Sequence, residues 1–331
     1  MSKELPTLDG LRAASILLVL ASHLLPLGPK WLDLNEAVGA MGMAIFFSLS
    51  GFLITKNLLD GQPVATFFVR RAARILPLAY LYLLVVWVIF PTTSWTFLQN
   101  LLFVENYTYS WMEDGHFWSL CVEVHFYLVI GTAVLFFGTR GALLIPAACI
   151  AVTAVRGWNG TFIDIQTHLR VDEICSGGCI AIAYHYRMLE KISTGAMFFL
   201  LVASLLAISS WHNSEWLQYL RPYFAGLLLI TALTIEPSAL RSVLASRAAA
   251  YVAKVSYALY VIHPLTAHGW MDSGSTFQRY ALKRPITFAL TFLLAHLSTF
   301  YYEAKWIELS KKFRRRRPSG MLRGGAQSKS A

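Results

Sequence analysis

The stretch LDGLRAASILLVLASH, residues 8–23, places an arginine and a histidine inside an otherwise apolar segment. Arg12 and His23 are eleven positions apart, so they share one face of a helix and lie about 16 Å apart along its axis. Three further polar residues fall within a quarter-turn of that face: Asp9, Ser15 and Ser22. An arginine at the centre of a lipid-exposed helix costs about 3 kcal/mol. The spacing therefore predicts that this stripe faces a protein interior or a water-filled cavity. A buried Arg12–Asp9 pair beside a hydrogen-bonded His23 is the structural alternative to a functional role.

The composition is that of a membrane protein. Of the 331 residues, 56% are hydrophobic and 14% are charged, whereas soluble domains carry about 25% charged residues. Charge-free runs such as 37–55, 75–104 and 285–302 are long enough to cross the hydrocarbon as helices. We predict an all-α, polytopic transmembrane bundle of about ten helices. Their expected positions are 8–27, 37–56, 75–92, 117–138, 141–156, 171–186, 195–211, 219–236, 250–269 and 286–304.

Charged residues are distributed unevenly between the predicted helices. With a cytoplasmic N-terminus, most lysines and arginines fall in inner loops and tails, whereas the outer loops collect Asp and Glu residues. This positive-inside bias predicts that both termini are cytoplasmic. The tail segment KKFRRRRPSG, residues 311–320, is expected to bind anionic lipid headgroups, so the net charge of +10 does not indicate nucleic-acid binding. We expect a multi-pass protein of the cell membrane, such as a bacterial inner membrane.

A second polar stripe lies in HFWSLCVEVHFYL, which begins at His116. His116 and Glu123 are seven positions apart and share a helix face, and Ser119 and Tyr127 fall on the same side. An unpaired carboxylate at this depth would be costly, so Glu123 is expected to be partnered or protonated. His125 points the opposite way and is interpreted as a packed or headgroup-facing residue.

Four potential metal ligands occur at helical spacing in THLRVDEICSGGC: His168, Asp172, Cys175 and Cys179. Their spacing does not match a closed zinc signature, and a single helix seldom supplies four ligands, so no metal is predicted. Arg170 and Asp172 are expected to form a polar network at the outer face. All four cysteines fall within predicted spans, which favours unpaired, buried thiols over disulfides.

Two further segments admit both a structural and a functional interpretation. RRAARILP, residues 70–77, is a cationic cluster just before the third predicted helix. It is either a topology signal or a phosphate-binding patch, because arginine suits bidentate contacts to phosphate. SYALYVIHPL places His263 directly before Pro264, where the backbone hydrogen-bond ladder is already broken, and a lone histidine there is more often structural.

These segments, in this order, resemble the acyltransferase 3 family of integral membrane acyltransferases. The first segment has that family's Arg-x10-His spacing at Arg12 and His23, and RRAARILPLAYLYLL has its Arg-x-x-Arg pair at Arg71 and Arg74. AIFFSLSGFLIT, FWSLCVEVHFYL and SYALYVIHPL resemble three more of its blocks. The resemblance covers residues 8–265. Four positions depart from the family pattern: Cys121, Val124, His125 and Lys305.

The resemblance implies one transmembrane acyltransferase domain over residues 1–306 and a basic cytoplasmic tail over 307–331. It implies an enzyme that moves an acyl group, most commonly acetyl, from cytoplasmic acyl-CoA to a hydroxyl of an outward-facing acceptor. The acceptor classes typical of the family are surface polysaccharides, lipopolysaccharide, lipid-linked sugars, peptidoglycan and some macrolide-type small molecules. Acyl-CoA is thus the expected donor, and a glycan or lipid-linked sugar is the expected partner.

The resemblance also implies roles for individual residues. His23 is the expected general base, because an imidazole accepts and returns a proton near neutral pH. Arg12 would hold the donor or counter developing negative charge, and Glu123 would orient the acceptor or another site group. Arg71 and Arg74 would bind the phosphates of CoA. Substrate contacts or structural support are expected from Asp9, His116, Ser119, Tyr127, Arg170, Asp172 and His263.

The residues themselves leave two questions open. A transporter or flippase could use Arg12, His23 and Glu123 as a proton or substrate pathway, although it gives no reason for the arginine cluster near the Arg12 end. Within the acyltransferase interpretation, the acceptor hydroxyl attacks the thioester directly, or the acyl group passes through an acyl-His23 or acyl-serine intermediate. The sequence names neither the acceptor nor the acyl chain.

Overall fold

The computed structural model describes residues 5–109, 115–189, 194–210, 215–271 and 273–315, and every regular element in those ranges is a helix. The first seven α-helices are α1 (Pro6–Leu24), α2 (Leu34–Leu59), α3 (Val64–Ile89), α4 (Ser94–Leu101), α5 (Glu105–Thr108), α6 (Trp118–Phe137) and α7 (Ile145–Asn159). The other seven are α8 (Asp172–His185), α9 (Gly195–Ser210), α10 (Arg221–Thr234), α11 (Ala239–Leu244), α12 (Arg247–Ala267), α13 (Arg284–Leu297) and α14 (Ala304–Arg315). The all-α fold class is confirmed for these residues.

Each of the ten predicted helices overlaps a helix of the structure, but some boundaries were wrong. The third begins at Val64 rather than near residue 75, so Arg71 and Arg74 lie inside α3 and not before it. The predicted start coincided with the start of a charge-free run. The helix begins earlier, because its first turns carry Arg70, Arg71 and Arg74, which line a cavity. The short helices α4, α5 and α11 were not predicted.

Within the described ranges, four helical stretches are long and apolar enough to cross a membrane: Pro6–Leu24, Leu34–Leu59, Val64–Ile89 and Trp118–Asn159. Large apolar side chains point outward from these stretches, among them Val88, Val129 and Phe136, which are 71%, 69% and 75% exposed. Contact with lipid accounts for such a surface, which water would not favour. The pattern fits a multi-pass membrane protein. Ten crossings and two cytoplasmic termini stay predictions.

Helix α2 is the centre of the bundle, because it packs along both α1 and α8. Gly51 of α2 and Gly177 of α8 allow the backbones of these two helices to touch. A Cβ at Gly51 would overlap the carbonyl of Ile174, and one at Gly177 would overlap the carbonyl of Ser48. Small residues at a contact between membrane helices permit this close approach.

Helix α1 ends at Leu24, three residues before the predicted end. The side chain of Asn35 holds the following turn: its Nδ2 donates to the carbonyls of Ser22 and Leu25, each at 2.6 Å, and its Oδ1 accepts from the amide of Leu27 at 3.0 Å. These bonds satisfy backbone groups that the helix end leaves without partners. His23 therefore lies in the last turn of α1.

From Gln278 to Arg315 the chain is one continuous run of helix, in which π-helical turns precede and follow α13. The predicted basic tail begins at residue 307 and is thus helical up to Arg315, where α14 packs against α3. The rest of that tail, residues 316–331, lies outside the described residues.

Glu105, in α5, predicts a pH-dependent stability. Its side chain is fully buried, and neither carboxylate oxygen has a hydrogen-bond partner among the described residues. Burial raises the pKa of Glu105 from 4.5 to about 9. The pKa of Glu105 is higher in the folded state than in the unfolded state. Its contribution to the free energy of unfolding is therefore fully present below pH 4.5 and is lost as the pH rises towards 9, by about 1.4 kcal/mol per pH unit.

Glu105→Gln should therefore reduce the fall in melting temperature between about pH 6 and pH 8.5, measured on detergent-purified protein. Glu236→Gln is the matched control, because Glu236 is exposed and should leave the fall unchanged. A fall of the same size in wild type and in both variants would contradict the assignment.

Candidate functional site

Helix α1 connects two cavities at opposite ends of its polar stripe. The first, of about 360 Å³, contains Arg12 and is called the basic cavity. The second, of about 460 Å³, contains His23 and is called the histidine cavity. The helical rise between these two residues is about 16 Å. The stripe predicted from spacing therefore does face cavities rather than lipid alone.

The basic cavity carries a large excess of positive charge. Its described lining contains five cationic side chains: Arg12, Arg70, Arg71, Arg74 and Lys311. Glu123 is the only carboxylate in that described lining. Arg12 comes from α1, three arginines come from α3, and the lysine comes from α14. A concave site of this charge suits a polyanion such as a phosphorylated ligand.

Glu123 is 5% exposed in this cavity and has a polar partner, as predicted. The hydroxyl of Ser50 donates a short hydrogen bond to the Glu123 carboxylate and lies 3.4 Å from the hydroxyl of Tyr127. The guanidinium of Arg71 lies 5.5 Å from the Tyr127 ring centroid. Glu123 thus lies in the basic cavity and not in the described lining of the histidine cavity.

The histidine cavity brings together three histidines from distant parts of the chain. The ring of His23 lies 5.0 Å from that of His263, and His263 lies 5.6 Å from His116, measured between centroids. His116 and His263 are 7% and 2% exposed, whereas His23 is an exposed residue on the cavity wall. His23 is accessible because it lies at the end of α1, whose last residue is Leu24. The exposed ring is the one that a ligand in the cavity can reach.

Pro264 explains the orientation of His263. Proline has no amide hydrogen, so the carbonyl of Tyr260, four residues earlier, has no helical donor. The Nδ1 of His263 lies 2.7 Å from that oxygen and can donate to it. This bond favours the tautomer with the proton on Nδ1 and leaves Nε2 as the acceptor. The helix itself continues through Pro264 to Ala267.

Two aromatic rings lie between the cavities. Phe46 lines the basic cavity, Tyr260 lines the histidine cavity, and their rings stack with centroids 6.3 Å apart. The hydroxyl of Tyr260 donates to the carbonyl of His116 at 2.5 Å and lies 2.5 Å from the hydroxyl of Ser119. We call the Phe46 and Tyr260 rings the Phe46–Tyr260 partition. Ser119, which was predicted to share a helix face with Glu123, instead contacts Tyr260 of this partition.

A buried ion network stands behind the histidine cavity, with partners that differ from the prediction. Asp172 pairs with Arg156 at 2.5 Å and not with Arg170. Arg170 lies 3.3 Å from Glu173, which also binds Arg221 at 2.7 Å. The prediction paired neighbours in sequence, whereas Arg156 and Arg221 reach α8 from α7 and the start of α10. Arg156 and Arg221 are far in sequence from the carboxylates they pair with, so helical spacing could not predict these ion pairs.

The predicted site residues divide between these places. Arg71, Arg74, Tyr127, Arg12 and Glu123 meet in the basic cavity; His116, Arg170 and His23 line the histidine cavity, with His263 beside them. Asp9 is exposed and Asp172 is buried in the ion network, and neither lines a cavity wall described above. Sequence reasoning missed the lining residues Lys311, Asn35, Trp118 and Phe46.

The described part of the chain contains no group of three or more His, Cys, Asp or Glu side chains that could hold a metal ion. The four cysteines are free; Cys121, Cys149 and Cys175 are buried, and Cys179 is half-buried. His125 contacts the turn that precedes α8, where its Nδ1 lies 2.6 Å from the hydroxyl of Thr167.

Comparison with known sequences agrees with the geometry. A family model described as an acyltransferase domain matches residues 5–302, which is nearly the whole described chain. The protein therefore belongs to the acyltransferase 3 family of membrane acyltransferases, as its motifs indicated. No solved structure shows a significant match to the chain.

Two relatives carry names that state an activity. The chain is 28% identical to a Bacillus subtilis protein provisionally named peptidoglycan O-acetyltransferase YrhL, over 79% of this chain and 48% of the relative. It is 26% identical to the peptidoglycan O-acetyltransferase OatA of Listeria monocytogenes, over 57% of this chain and 36% of the relative. The chain spans about half or less of the length of these relatives.

Proposed function

We propose that the protein is a membrane O-acetyltransferase that moves an acetyl group from acetyl-CoA to a hydroxyl of an outward-facing cell-surface glycan. The observation that carries the proposal is the placement of Arg12 and His23, on one helix, in two different cavities. One cavity suits a phosphorylated donor, and the other presents an accessible imidazole. The names of the relatives support acetyl as the group and a glycan as the acceptor.

The donor binds in the basic cavity. Arg71 and Arg74 hold phosphates of CoA, since two guanidiniums one helical turn apart can each form charge-assisted hydrogen bonds to phosphate oxygens. Arg12 lies deeper along the same cavity and fixes the far part of the donor. The positive-inside distribution of charge supports a cytoplasmic position for this cavity, on the side where acetyl-CoA is made.

The acceptor binds in the histidine cavity, where polar side chains surround His23. Ser22, Glu36 and Asp164 offer hydrogen-bond acceptors to sugar hydroxyls, and Trp118 offers an aromatic face. His23 removes the proton from the acceptor hydroxyl. His263, held by the freed carbonyl of Tyr260, orients the His23 ring beside it.

The two substrates meet near the Phe46–Tyr260 partition. The thioester arm crosses between these rings, and the span of about 16 Å from Arg12 to His23 is comparable with an extended pantetheine arm. The acceptor oxygen forms a bond to the carbonyl carbon and the carbon–sulfur bond breaks. The proton held by His23 then passes to the departing sulfur, which gives an ester and free CoA.

Removing the two phosphate-binding arginines tests the donor site. We expect the double variant Arg71→Ala/Arg74→Ala to bind acetyl-CoA at least about 100-fold more weakly than wild type, because each charge-assisted bond contributes about 1.5–3 kcal/mol in water and the variant loses two of them. Binding is measured by titrating purified protein with radiolabelled acetyl-CoA, and ester formation by mass analysis of envelope glycans.

Arg140→Ala is the matched control, since Arg140 is exposed and lies outside the described lining of the basic cavity. It should bind acetyl-CoA as wild type does. Equal affinity in all three proteins would contradict the donor site. If the protein carried a solute across vesicle membranes and formed no ester, the result would identify it as a transporter rather than an acetyltransferase.

A further inference from the structure

Arg170 is a buried arginine on the wall of the histidine cavity. Its side chain is 2% exposed, and it lines the cavity together with His23. Its Nη1 has no hydrogen-bond partner among the described residues, and its Nε lies 3.3 Å from a carboxylate oxygen of Glu173 without forming a hydrogen bond. Its guanidinium lies 5.3 Å from the ring centroid of Trp118, another residue of the cavity wall. A buried guanidinium with donors to spare is costly unless it acts on something that binds there.

The ion network behind the cavity leaves one positive charge uncompensated. It contains three guanidiniums and two carboxylates: Arg156, Arg170, Arg221, Asp172 and Glu173. Both carboxylates have a closer partner than Arg170, because Arg156 binds Asp172 at 2.5 Å and Arg221 binds Glu173 at 2.7 Å. The surplus charge therefore falls on Arg170, the member of the network that faces His23's cavity.

Two kinds of negative charge could use this guanidinium: a permanent charge on the acceptor, or one that develops on the reacting carbonyl. The cavity rim also carries Glu36, which is exposed, and Asp164, whose Oδ1 accepts from the amides of residues 165 and 166. These carboxylates would repel an acceptor that is always anionic. Arg170, on the buried wall, is better placed to stabilise a negative charge that appears only during the reaction.

We propose that Arg170 stabilises the oxyanion that forms during acetyl transfer, an inference that rests on the proposed function. When the acceptor oxygen attacks the thioester, the electron pair of the carbonyl double bond moves onto its oxygen, and the Arg170 guanidinium donates hydrogen bonds to that oxygen. The pair returns as the carbon–sulfur bond breaks. Arg12 cannot supply this charge, because it lies in the basic cavity, about 16 Å from His23 along α1.

Arg170→Gln tests the role, because glutamine keeps hydrogen-bonding capacity and leaves the network with two arginines and two carboxylates. We expect kcat to fall about 100- to 1,000-fold while the KM for acceptor changes less than about threefold, since the lost contact exists only in the transition state. Arg170→Lys, which keeps the charge, should recover about a tenth of wild-type kcat. Acetyl transfer to purified glycan acceptor and acetyl-CoA affinity are measured on the same preparations.

Arg247→Gln is the control, because Arg247 is exposed and belongs neither to the ion network nor to the described lining of the histidine cavity. We expect its kcat to stay within about threefold of wild type and all variants to bind acetyl-CoA normally, which shows that they fold. Equal losses in Arg170→Gln and Arg247→Gln, or a raised KM with unchanged kcat, would overturn the oxyanion role alone. Wild-type protein that forms no ester would overturn the proposed function and this inference together.

Discussion

Replacing His23 by alanine should abolish acetyl transfer while the protein still enters the membrane and binds acetyl-CoA. A positioned general base contributes about 100- to 10,000-fold to the rate, and His23 is the exposed imidazole of the histidine cavity. Its side chain is not part of the buried core, so its loss should leave the melting temperature within about 2 °C of wild type. The measurement is ester formation by mass spectrometry, with acetyl-CoA binding followed in parallel.

His185→Ala is the control for His23→Ala. His185 is also exposed and also lies in the last turn of a helix, but it is near Asp60 and outside both cavities. It should retain full activity. Undiminished transfer by His23→Ala would refute the base assignment. Loss of acetyl-CoA binding in that variant would instead show that the imidazole holds the donor.

Gly177→Ala should disrupt the bundle more than any surface change. Alanine is usually the better helix residue, by about 1 kcal/mol. At Gly177, however, the added Cβ would overlap the carbonyl of Ser48, which belongs to the backbone of α2 and cannot move as a side chain can. Helices α2 and α8 would have to separate, at a cost of about 3 kcal/mol or more. We expect a melting temperature at least about 6 °C lower in detergent, or no monodisperse protein.

Gly157→Ala is the contrasting variant, because a Cβ at Gly157 in α7 meets nothing within 4 Å. There the helix preference of alanine acts alone, and the melting temperature should be unchanged or slightly higher. Size-exclusion profiles and thermal unfolding distinguish the two variants. Equal melting temperatures would mean that α2 and α8 do not touch as the structure places them.

The polar stripes were predictable because helix periodicity is a local property. Spacing alone placed Arg12 and His23 on one face, and Glu123 and Tyr127 on another, and the structure opens both faces onto cavities. The reason is energetic: charged groups inside an apolar helix are tolerated only where water, a ligand or another polar group meets them. The roles given to these residues stay predictions.

Other features had no local signal. The sequence showed a lone histidine before Pro264, yet the contact of His263 with His23 joins residues 240 positions apart. The prediction paired Arg170 with Asp172, whereas Arg156 and Arg221 approach from other helices. Lys311 was assigned to a lipid-binding tail, whereas α14 brings it to the wall of the basic cavity.

The sequence by itself determined the membrane class, the helical composition and which helix faces are polar, because each follows from hydrophobicity and from a repeat of about 3.6 residues. The tertiary structure alone decided which faces meet. It set α14 against α3, separated Arg12 from His23 into two cavities and placed Arg170 on the wall of the histidine cavity. Such contacts depend on how whole helices cross and how closely glycines let them approach, and neither property is encoded in a local stretch of chain.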